Sequence, residues 1–128
     1  MILDTSVIAA IVFQEPGHES LRDRLGVGDA VGIGTATLVE AGIVLSARLR
    51  RDARDLLARF LLEADVRVVA FDEDHWVAAV DAWLRFGKGR HPARLNFGDC
   101  LSYATARLAG EPLLCVGEDF PKTDLELA

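Results

Sequence analysis

Two acidic residues directly follow apolar segments that have the character of short buried strands. Asp4 follows Met1–Leu3, and Asp119 follows the run Leu113–Val116, with Glu118 competing for the same position. Because the binding crevice of an open parallel sheet lies beyond the carboxyl ends of its strands, we expect both acids to project from one edge. The structural alternatives are a helix N-cap for Asp4 and a solvated loop acid for Asp119.

Two further acids occur inside predicted helices. Glu40 lies in the segment 36–45, which is apolar on almost every face of a helix and is therefore expected to be buried. A buried ionised carboxylate is costly unless a cation or strong hydrogen bonds compensate its charge. The structural alternative for Glu40 is a capping box with Thr37. Asp99 falls in the first turn of the last predicted helix, where the helix dipole favours an acid regardless of function.

Considered together, the four acids indicate a site for a divalent cation. Carboxylates gathered without basic partners repel each other, and a bound cation removes that conflict. Oxygen ligands favour Mg²⁺ or Mn²⁺ over zinc, and a water held by such a metal can attack a phosphodiester. The net charge of −6 argues against a protein that binds nucleic acid by coating phosphates with lysine and arginine. A metal that meets the scissile phosphate is compatible with this acidity.

The elements that must position these acids alternate along the chain. Short apolar runs predict strands at residues 1–3, 30–33, 66–71 and 113–116. Longer periodic segments, capped by residues such as Thr5 or Ser6 and Thr35, predict helices at residues 5–13, 15–25, 35–50, 52–64, 72–87 and 98–109. Strands separated by helices predict an α/β fold, a three-layer α/β/α sandwich with a mainly parallel central sheet.

The composition favours a single domain spanning residues 1–128. With 51% hydrophobic and 27% charged residues, the chain can pack one core and does not have the composition of a disordered protein. No apolar stretch approaches the roughly 20 residues of a membrane span, and the opening residues lack the basic region of a signal peptide. We therefore expect a soluble, cytoplasmic protein. Cys100 and Cys115 have neither zinc-ligand nor CxxC spacing and are expected to be free thiols.

Four short segments carry a resemblance that covers essentially the whole chain. They are residues 1–6 (MILDTS), 35–40 (TATLVE), 95–100 (LNFGDC) and 113–120 (LLCVGEDF). In this order and spacing they resemble the PIN-domain ribonucleases of the VapC type, the toxins of bacterial VapBC toxin–antitoxin pairs. The resemblance implies a PIN-like fold and Mg²⁺-dependent endonucleolytic cleavage of RNA, with Mn²⁺ as a substitute, and growth arrest as the result. It also implies a cognate antitoxin protein and a toxin homodimer.

The same resemblance implies a role for each acid. The catalytic set consists of Asp4 and Asp99 as the principal metal ligands, completed by Glu40 and Asp119. The hydroxyl group of Thr5 or of Ser6 is implied to orient a metal-bound water or the substrate.

A basic segment precedes the helix that carries Asp99. Residues 87–96 have no apolar periodicity and are predicted to form a loop that borders the crevice. Its basic and titratable residues are Lys88, Arg90, His91 and Arg94. We hypothesise that they hold RNA phosphates flanking the cut, the alternative being a solvated basic loop. Trp76 and Trp83, seven residues apart on one predicted helix, indicate core or dimer-face packing and not base stacking.

The sequence leaves two other functions open: a PIN-like nuclease that acts on DNA or flap structures, and a non-catalytic PIN-fold module that binds protein. A DNA nuclease usually carries extra arms and helices, for which 128 residues leave little room. A binding module would be expected to have lost one of the four acids, and none is missing. A phosphatase of the haloacid dehalogenase type needs a second acid two residues after the first, where this chain has Ser6. RNA cleavage is therefore the favoured prediction.

Overall fold

Four short parallel strands form the centre of the computed structural model, which describes all residues from 1 to 128. They are β1 (Ile2–Leu3), β2 (Val31–Gly34), β3 (Val66–Val69) and β4 (Leu113–Leu114). Their spatial order is β3-β2-β1-β4, and every neighbouring pair is parallel. Because β1 and β4 are neighbours that run in the same direction, the residues that follow them emerge side by side.

Six α-helices cover this sheet: α1 (Thr5–Val12), α2 (His18–Leu25), α3 (Thr35–Leu49), α4 (Arg54–Glu63), α5 (Glu73–Phe86) and α6 (Phe97–Ala109). The sequence predicts all six, with bounds that differ by a few residues. For example, α2 begins three residues later than predicted, because Gly17 adopts a left-handed φ of 90° in the turn before it. A short 3₁₀ helix at Phe120–Lys122 is not predicted.

The hydrophobic core lies on both faces of the sheet. On one face, Leu3 packs with buried residues of α1, α3 and α4. On the other, its neighbour Ile2 packs with buried residues of α5 and α6. Successive strand residues point to opposite faces, so the two residues of β1 connect the two halves of the core. The predicted three-layer α/β/α architecture is confirmed. None of the helices combines the length and the apolar character that crossing a bilayer requires.

The prediction that α3 is buried on all sides is wrong. Its buried residues are Thr37, Ala41 and Leu45, which recur every four residues along a single stripe. Val39 and Ile43 are 62% and 64% exposed. Because α3 lies in an outer layer of the sandwich, only the stripe that faces the sheet and its neighbouring helices is covered.

Thr35 does not cap α3 as predicted. The N-cap residue is Gly34, which makes no side-chain capping bond. The Thr35 hydroxyl instead donates to the carbonyl of Val69 (3.2 Å) and accepts from the backbone N–H of Phe71 (3.0 Å). The start of α3 is thereby tied to the end of β3 at the carboxyl edge of the sheet.

Candidate active site

Asp4 follows β1 directly and is the N-cap of α1. Its Oδ2 accepts hydrogen bonds from the Ser6 backbone N–H (3.0 Å) and the Ser6 hydroxyl (2.6 Å), and its Oδ1 accepts one from the Ser102 hydroxyl (2.6 Å). The residue is only 5% exposed. The prediction that Thr5 or Ser6 caps α1 is therefore wrong. Asp4 caps the helix and still faces α6, so the structural and functional interpretations of this residue are compatible.

Glu40 is half-buried on α3, where α1 and α6 approach it. The Thr5 hydroxyl donates a 2.5 Å hydrogen bond to its Oε1. On the other side the carboxyl group lies directly over Gly98, where an added Cβ would overlap Oε2. The alternative capping box with Thr37 is absent, since the N-cap residue of α3 is Gly34 and no side chain caps this helix. Neighbouring elements therefore hold Glu40 at the carboxyl edge of the sheet.

Asp99 is the third residue of α6 and forms a reciprocal capping box with Asn96. The Asn96 N–H donates to Asp99 Oδ2 and the Asp99 N–H donates to Asn96 Oδ1, both at 2.9 Å. Burial raises the pKa of Asp99 to about 6; the hydrogen bond from Asn96 opposes this rise, and the charges of Asp4, Asp119 and Glu40 add to it. Asp99 thus lies within electrostatic reach of the other three predicted acids.

Asp119, and not Glu118, is the acid after β4 that belongs to this cluster. Asp119 is half-buried and precedes the 3₁₀ helix, which the buried side chain of Phe120 anchors to the core. Glu118 is exposed, and the main charge contributions to the raised pKa of Asp99 come from Asp4, Asp119 and Glu40. The choice between these two neighbours depends on the turn after β4, which the sequence does not predict.

Cys115 lies at the same edge of the sheet. Burial raises the pKa of its thiol to about 11, and the charges of Asp4 and Asp99 contribute to this rise. Cys100, next to Asp99, has a pKa raised to about 11 in the same way by burial and by Asp99. Both cysteines are free, as predicted. Their thiols are held in the protonated form, so they do not add a countercharge or a further negative charge to the acids.

No basic side chain pairs with the four acids. None of the ion pairs in the structure includes Asp4, Glu40, Asp99 or Asp119. An acidic cluster of this kind fits a hard divalent cation, for which carboxylate oxygens are the preferred ligands. No group of three or more histidine, cysteine, aspartate or glutamate side chains is arranged to hold a metal ion. Mg²⁺ does not need such a group, because it usually binds one or two protein carboxylates and keeps much of its water.

Two buried hydroxyl groups behind the acids were not predicted from the sequence. Ser102, fully buried on α6, donates to Asp4, and Thr37 on α3 lies 3.3 Å from the Ser102 hydroxyl. Ser102 is three residues beyond Asp99, a spacing that places both on one helix face and was the available signal. Its contact with Asp4 joins residues 98 positions apart and required the fold.

Comparison with known proteins gives the family. The family model described as PIN domain matches residues 1–126. The chain belongs to the PIN-domain family. It is 46% identical over 127 residues to Ribonuclease VapC36 of Mycobacterium tuberculosis, covering 98% of this chain and 91% of that protein. The crystal structure of Mycobacterium tuberculosis VapC20, a Sarcin-Ricin loop cleaving toxin, superposes with a TM-score of 0.77 at 24% identity, covering 99% of this chain and 97% of that one.

A toxin–antitoxin complex from Klebsiella pneumoniae contains a chain with the same fold. It superposes on this PIN domain with a TM-score of 0.70 at 18% identity, covering 99% of this chain and 95% of that one. These structural matches confirm the predicted PIN-like fold.

The basic loop of this PIN domain is partly built into the core. Ala93 and Leu95 are fully buried, so the loop is anchored and not freely solvated along its length. Its four predicted phosphate-binding residues line one open depression of the surface: Lys88, Arg90, His91 and Arg94, together with Gly89 and Pro92. These four side chains thus lie together in the segment that precedes the N-terminus of α6.

Two residues of the basic loop have fixed orientations. The Arg90 guanidinium stacks over the ring of Trp83, 4.9 Å from its centroid, and its Nε donates to the carbonyl of Leu84 (3.2 Å). The Nδ1 of His91 accepts from the Ala93 N–H (3.0 Å), which leaves the proton of the neutral ring on Nε2.

The tryptophans of α5 do not pack in the core of this PIN domain. Trp76 and Trp83 are 59% and 42% exposed, because the face of α5 that packs on α6 consists of smaller residues such as Ala79 and Ala82. Further exposed apolar residues extend the same surface: Val77, Val80 and Leu84. The sequence predicts either core packing or dimer-face packing for Trp76 and Trp83. Core packing is wrong for the isolated chain.

Proposed function

We propose that this single PIN domain, residues 1–128, is a metal-dependent endoribonuclease and the toxin of a VapBC-type toxin–antitoxin pair. The observation that carries the proposal is the placement of Asp4, Glu40 and Asp119 within electrostatic reach of Asp99 at the carboxyl edge of the sheet, with no basic partner. The 46% identity to a protein named Ribonuclease VapC36 across nearly the full length of both chains supports RNA as the substrate.

In the proposed site, Mg²⁺ or Mn²⁺ is held by Asp4 and Asp99, with Glu40 and Asp119 completing the acidic set. Such a cation supplies an activated water and neutralises charge on the phosphate in the transition state. The chain contributes orientation. Three hydrogen bonds orient Asp4, one from Thr5 orients Glu40, and the capping box orients Asp99. Because only ionised carboxylates bind metal, protons compete with the cation at Asp99 around pH 6.

In this proposal the main role of the Thr5 and Ser6 hydroxyl groups is to donate hydrogen bonds to the carboxylates. Thr5 directs its proton to Glu40. Ser6 directs its proton to Asp4 and accepts a hydrogen bond from the Val116 N–H (3.0 Å). The implied role in orienting water therefore depends on the remaining acceptor sites of these two oxygens and stays a prediction.

We propose that the basic loop binds RNA phosphates that flank the cleaved bond. Lys88 and Arg94 contribute positive charge, and His91 presents its Nε2 proton. Stacking on Trp83 restricts Arg90 while the terminal nitrogens of its guanidinium stay free for a bidentate phosphate contact. These contacts would orient the substrate, and the cation would act at the scissile bond.

Two protein partners belong to the proposal. One is a cognate antitoxin that covers the site, supported by the structural match to a chain of a toxin–antitoxin complex. The other is a second copy of the chain, seated on the exposed apolar face of α5, because a continuous apolar stripe with two tryptophans is typical of an interaction surface. We place this complex in the cytoplasm, where such a toxin would meet its RNA.

The experiment that tests the proposal is cleavage of structured RNA by the purified protein with Mg²⁺, with Mn²⁺ and with a chelator. We expect cleavage only with metal, and its loss in Asp4→Asn and Asp99→Asn. Glu118→Gln is the matched control, since it removes an acid that lies outside the cluster. Cleavage in chelator or by either Asn variant contradicts the metal mechanism. Equal cleavage of single-stranded or duplex DNA contradicts the proposed substrate.

A further inference from the structure

The two oxygens of the Asp4 carboxylate differ in the hydrogen bonds they accept. A carboxylate oxygen offers about two lone-pair sites. Oδ2 receives two donors, the backbone N–H and the hydroxyl of Ser6. Oδ1 receives one donor, the Ser102 hydroxyl at 2.6 Å. One lone pair therefore stays available, and it belongs to Oδ1.

The hydrogen bond to Oδ1 has a defined direction. A serine hydroxyl has a single proton, and Ser102 gives it to Asp4. The 3.3 Å contact between the Thr37 and Ser102 hydroxyls is then a donation from Thr37 to Ser102. This makes a directed chain from α3 through α6 to the carboxylate that follows β1.

The chain of hydroxyls is shielded from water. Thr37, Ser102 and Asp4 are 1%, 0% and 5% exposed. A hydroxyl that donates to a carboxylate at 2.6 Å makes a short, charge-assisted bond, and a buried hydroxyl cannot exchange that bond for one to solvent. No basic side chain forms an ion pair with Asp4.

We propose that Ser102, supported by Thr37, is a positioning residue that presents Asp4 Oδ1 as the ligand atom for the divalent cation. The inference rests on the proposed function, because it concerns the same cation. Residues that hydrogen-bond to metal ligands orient them and tune their affinity, and their loss costs about 10- to 100-fold in metal affinity or activity. Ser102 is the only residue that contacts Oδ1 through a hydrogen bond.

The competing explanation is purely structural, with the hydroxyls serving only to join α3, α6 and the start of α1. The two explanations differ in what they predict for metal binding. A structural link affects the melting temperature alone. A positioning residue affects the dissociation constant for the cation in protein that is still folded.

The test is titration of the full-length protein with Mn²⁺, with free Mn²⁺ followed by electron paramagnetic resonance, alongside the melting temperature in metal-free buffer. Ser102→Ala should weaken Mn²⁺ binding about tenfold. Thr37→Val, which removes the hydroxyl and keeps the shape, should weaken it less, and Thr37→Ser, which keeps the hydroxyl, should restore binding close to that of the wild type. The Asp4→Asn variant gives the affinity expected when this ligand is lost.

Unchanged Mn²⁺ affinity in Ser102→Ala, with or without a lower melting temperature, overturns the positioning role while the proposed function stands. If the wild type binds Mn²⁺ no better than Asp4→Asn, the metal site itself is contradicted. Should Ser102→Ala fail to fold, the Thr37 pair decides: weaker binding in Thr37→Val than in Thr37→Ser supports the proposal, and equal binding overturns it.

Discussion

The carboxyl group of Glu40 lies so close to the backbone of Gly98 that a Cβ at position 98 would overlap it. Helix α3 and the first turn of α6 approach each other at this contact, one residue before Asp99. Gly98 is buried and its φ lies outside the left-handed region, so a side chain is excluded here by the neighbouring carboxylate and not by the backbone.

This contact predicts the effect of Gly98→Ala. The overlapping atoms are at the end of a flexible side chain, so the new methyl group should displace Glu40 while the helix stays intact. We expect RNA cleavage to fall at least about tenfold, by analogy with the loss of other groups that position metal ligands. Cleavage rate and melting temperature should be measured together.

Gly42→Ala is the matched control, since it also replaces a helical glycine close to Glu40. A Cβ at position 42 meets only an ordinary 3.8 Å contact with Leu57. It should leave cleavage unchanged and stabilise the protein by up to about 1 kcal/mol, because alanine is the better helix former. Equal activity in the two variants would contradict the interpretation of the Gly98 contact.

The raised pKa of Asp99 predicts opposite effects of pH on stability and on activity. The pKa of Asp99 is about 6 in the folded protein, so the carboxyl group keeps its proton up to about pH 6, whereas the unfolded chain releases it near the ordinary aspartate pKa of 3.8. The free energy of unfolding of the metal-free protein should therefore fall as the pH rises from about 4 through 6. Cleavage should rise over the interval around pH 6, as Asp99 becomes able to bind metal.

Thermal melts of wild type and Asp99→Asn across this pH range check the effect on stability. Asp99→Asn carries no titrating group at this position. The melting temperature of the variant minus that of the wild type should therefore increase up to about pH 6 and then become constant. Added Mn²⁺ should stabilise the wild type more above pH 6 than below it. A difference between the two proteins that does not depend on pH would contradict the assignment.

The position of Asp119 predicts unequal effects for two neighbouring acids. Asp119→Asn should lower RNA cleavage at least about tenfold, because this carboxylate adds to the charge around Asp99. Glu118→Gln should retain wild-type cleavage, because its side chain is exposed and outside the cluster. Cleavage rates at saturating Mg²⁺ distinguish the two variants, and loss of activity in Glu118→Gln alone would reverse the assignment.

The basic loop predicts an effect on substrate binding. Arg94→Glu should raise KM for RNA with a smaller change in kcat, because the residue contributes charge to the surface depression of the loop and no ligand to the metal. Arg59→Glu is the control, since it makes the same change of net charge on the distant helix α4, where Arg59 is 80% exposed. If both variants raise KM equally, the effect is one of net charge and the loop has no special role.

The apolar face of α5 predicts self-association. Val80→Glu places a charge in the middle of this face and should convert a dimer into monomers in light scattering. Leu62→Glu, at an 82% exposed position on α4, should leave the oligomeric state unchanged. A wild type that is monomeric at high concentration, or a dimer that survives Val80→Glu, would reject a second copy as the occupant of this face. If the Val80→Glu variant still binds the antitoxin, the antitoxin and the second copy of the chain bind at different surfaces.

Much of the fold could be predicted from local sequence patterns. Hydrophobic periodicity and turn residues indicate all six helices and four strands, because the burial of one face of an element imposes a repeat on its own residues. The placement of Asp4 and Asp119 at the same edge of the sheet follows from the direction of parallel strands. The sequence also predicts Glu40 and Asp99 as members of the cluster, although Glu40 is half-buried and not deeply buried as its apolar helix predicts.

The tertiary structure decided which neighbours each acid has. The bond from Ser102 to Asp4 joins residues 98 positions apart, and no local pattern encodes such a contact. The choice of Asp119 over Glu118 depends on a turn and a 3₁₀ helix with no periodic signal. The exposed faces of α3 and α5 are apolar like a core, so their sequence does not reveal that no other part of the same chain covers them.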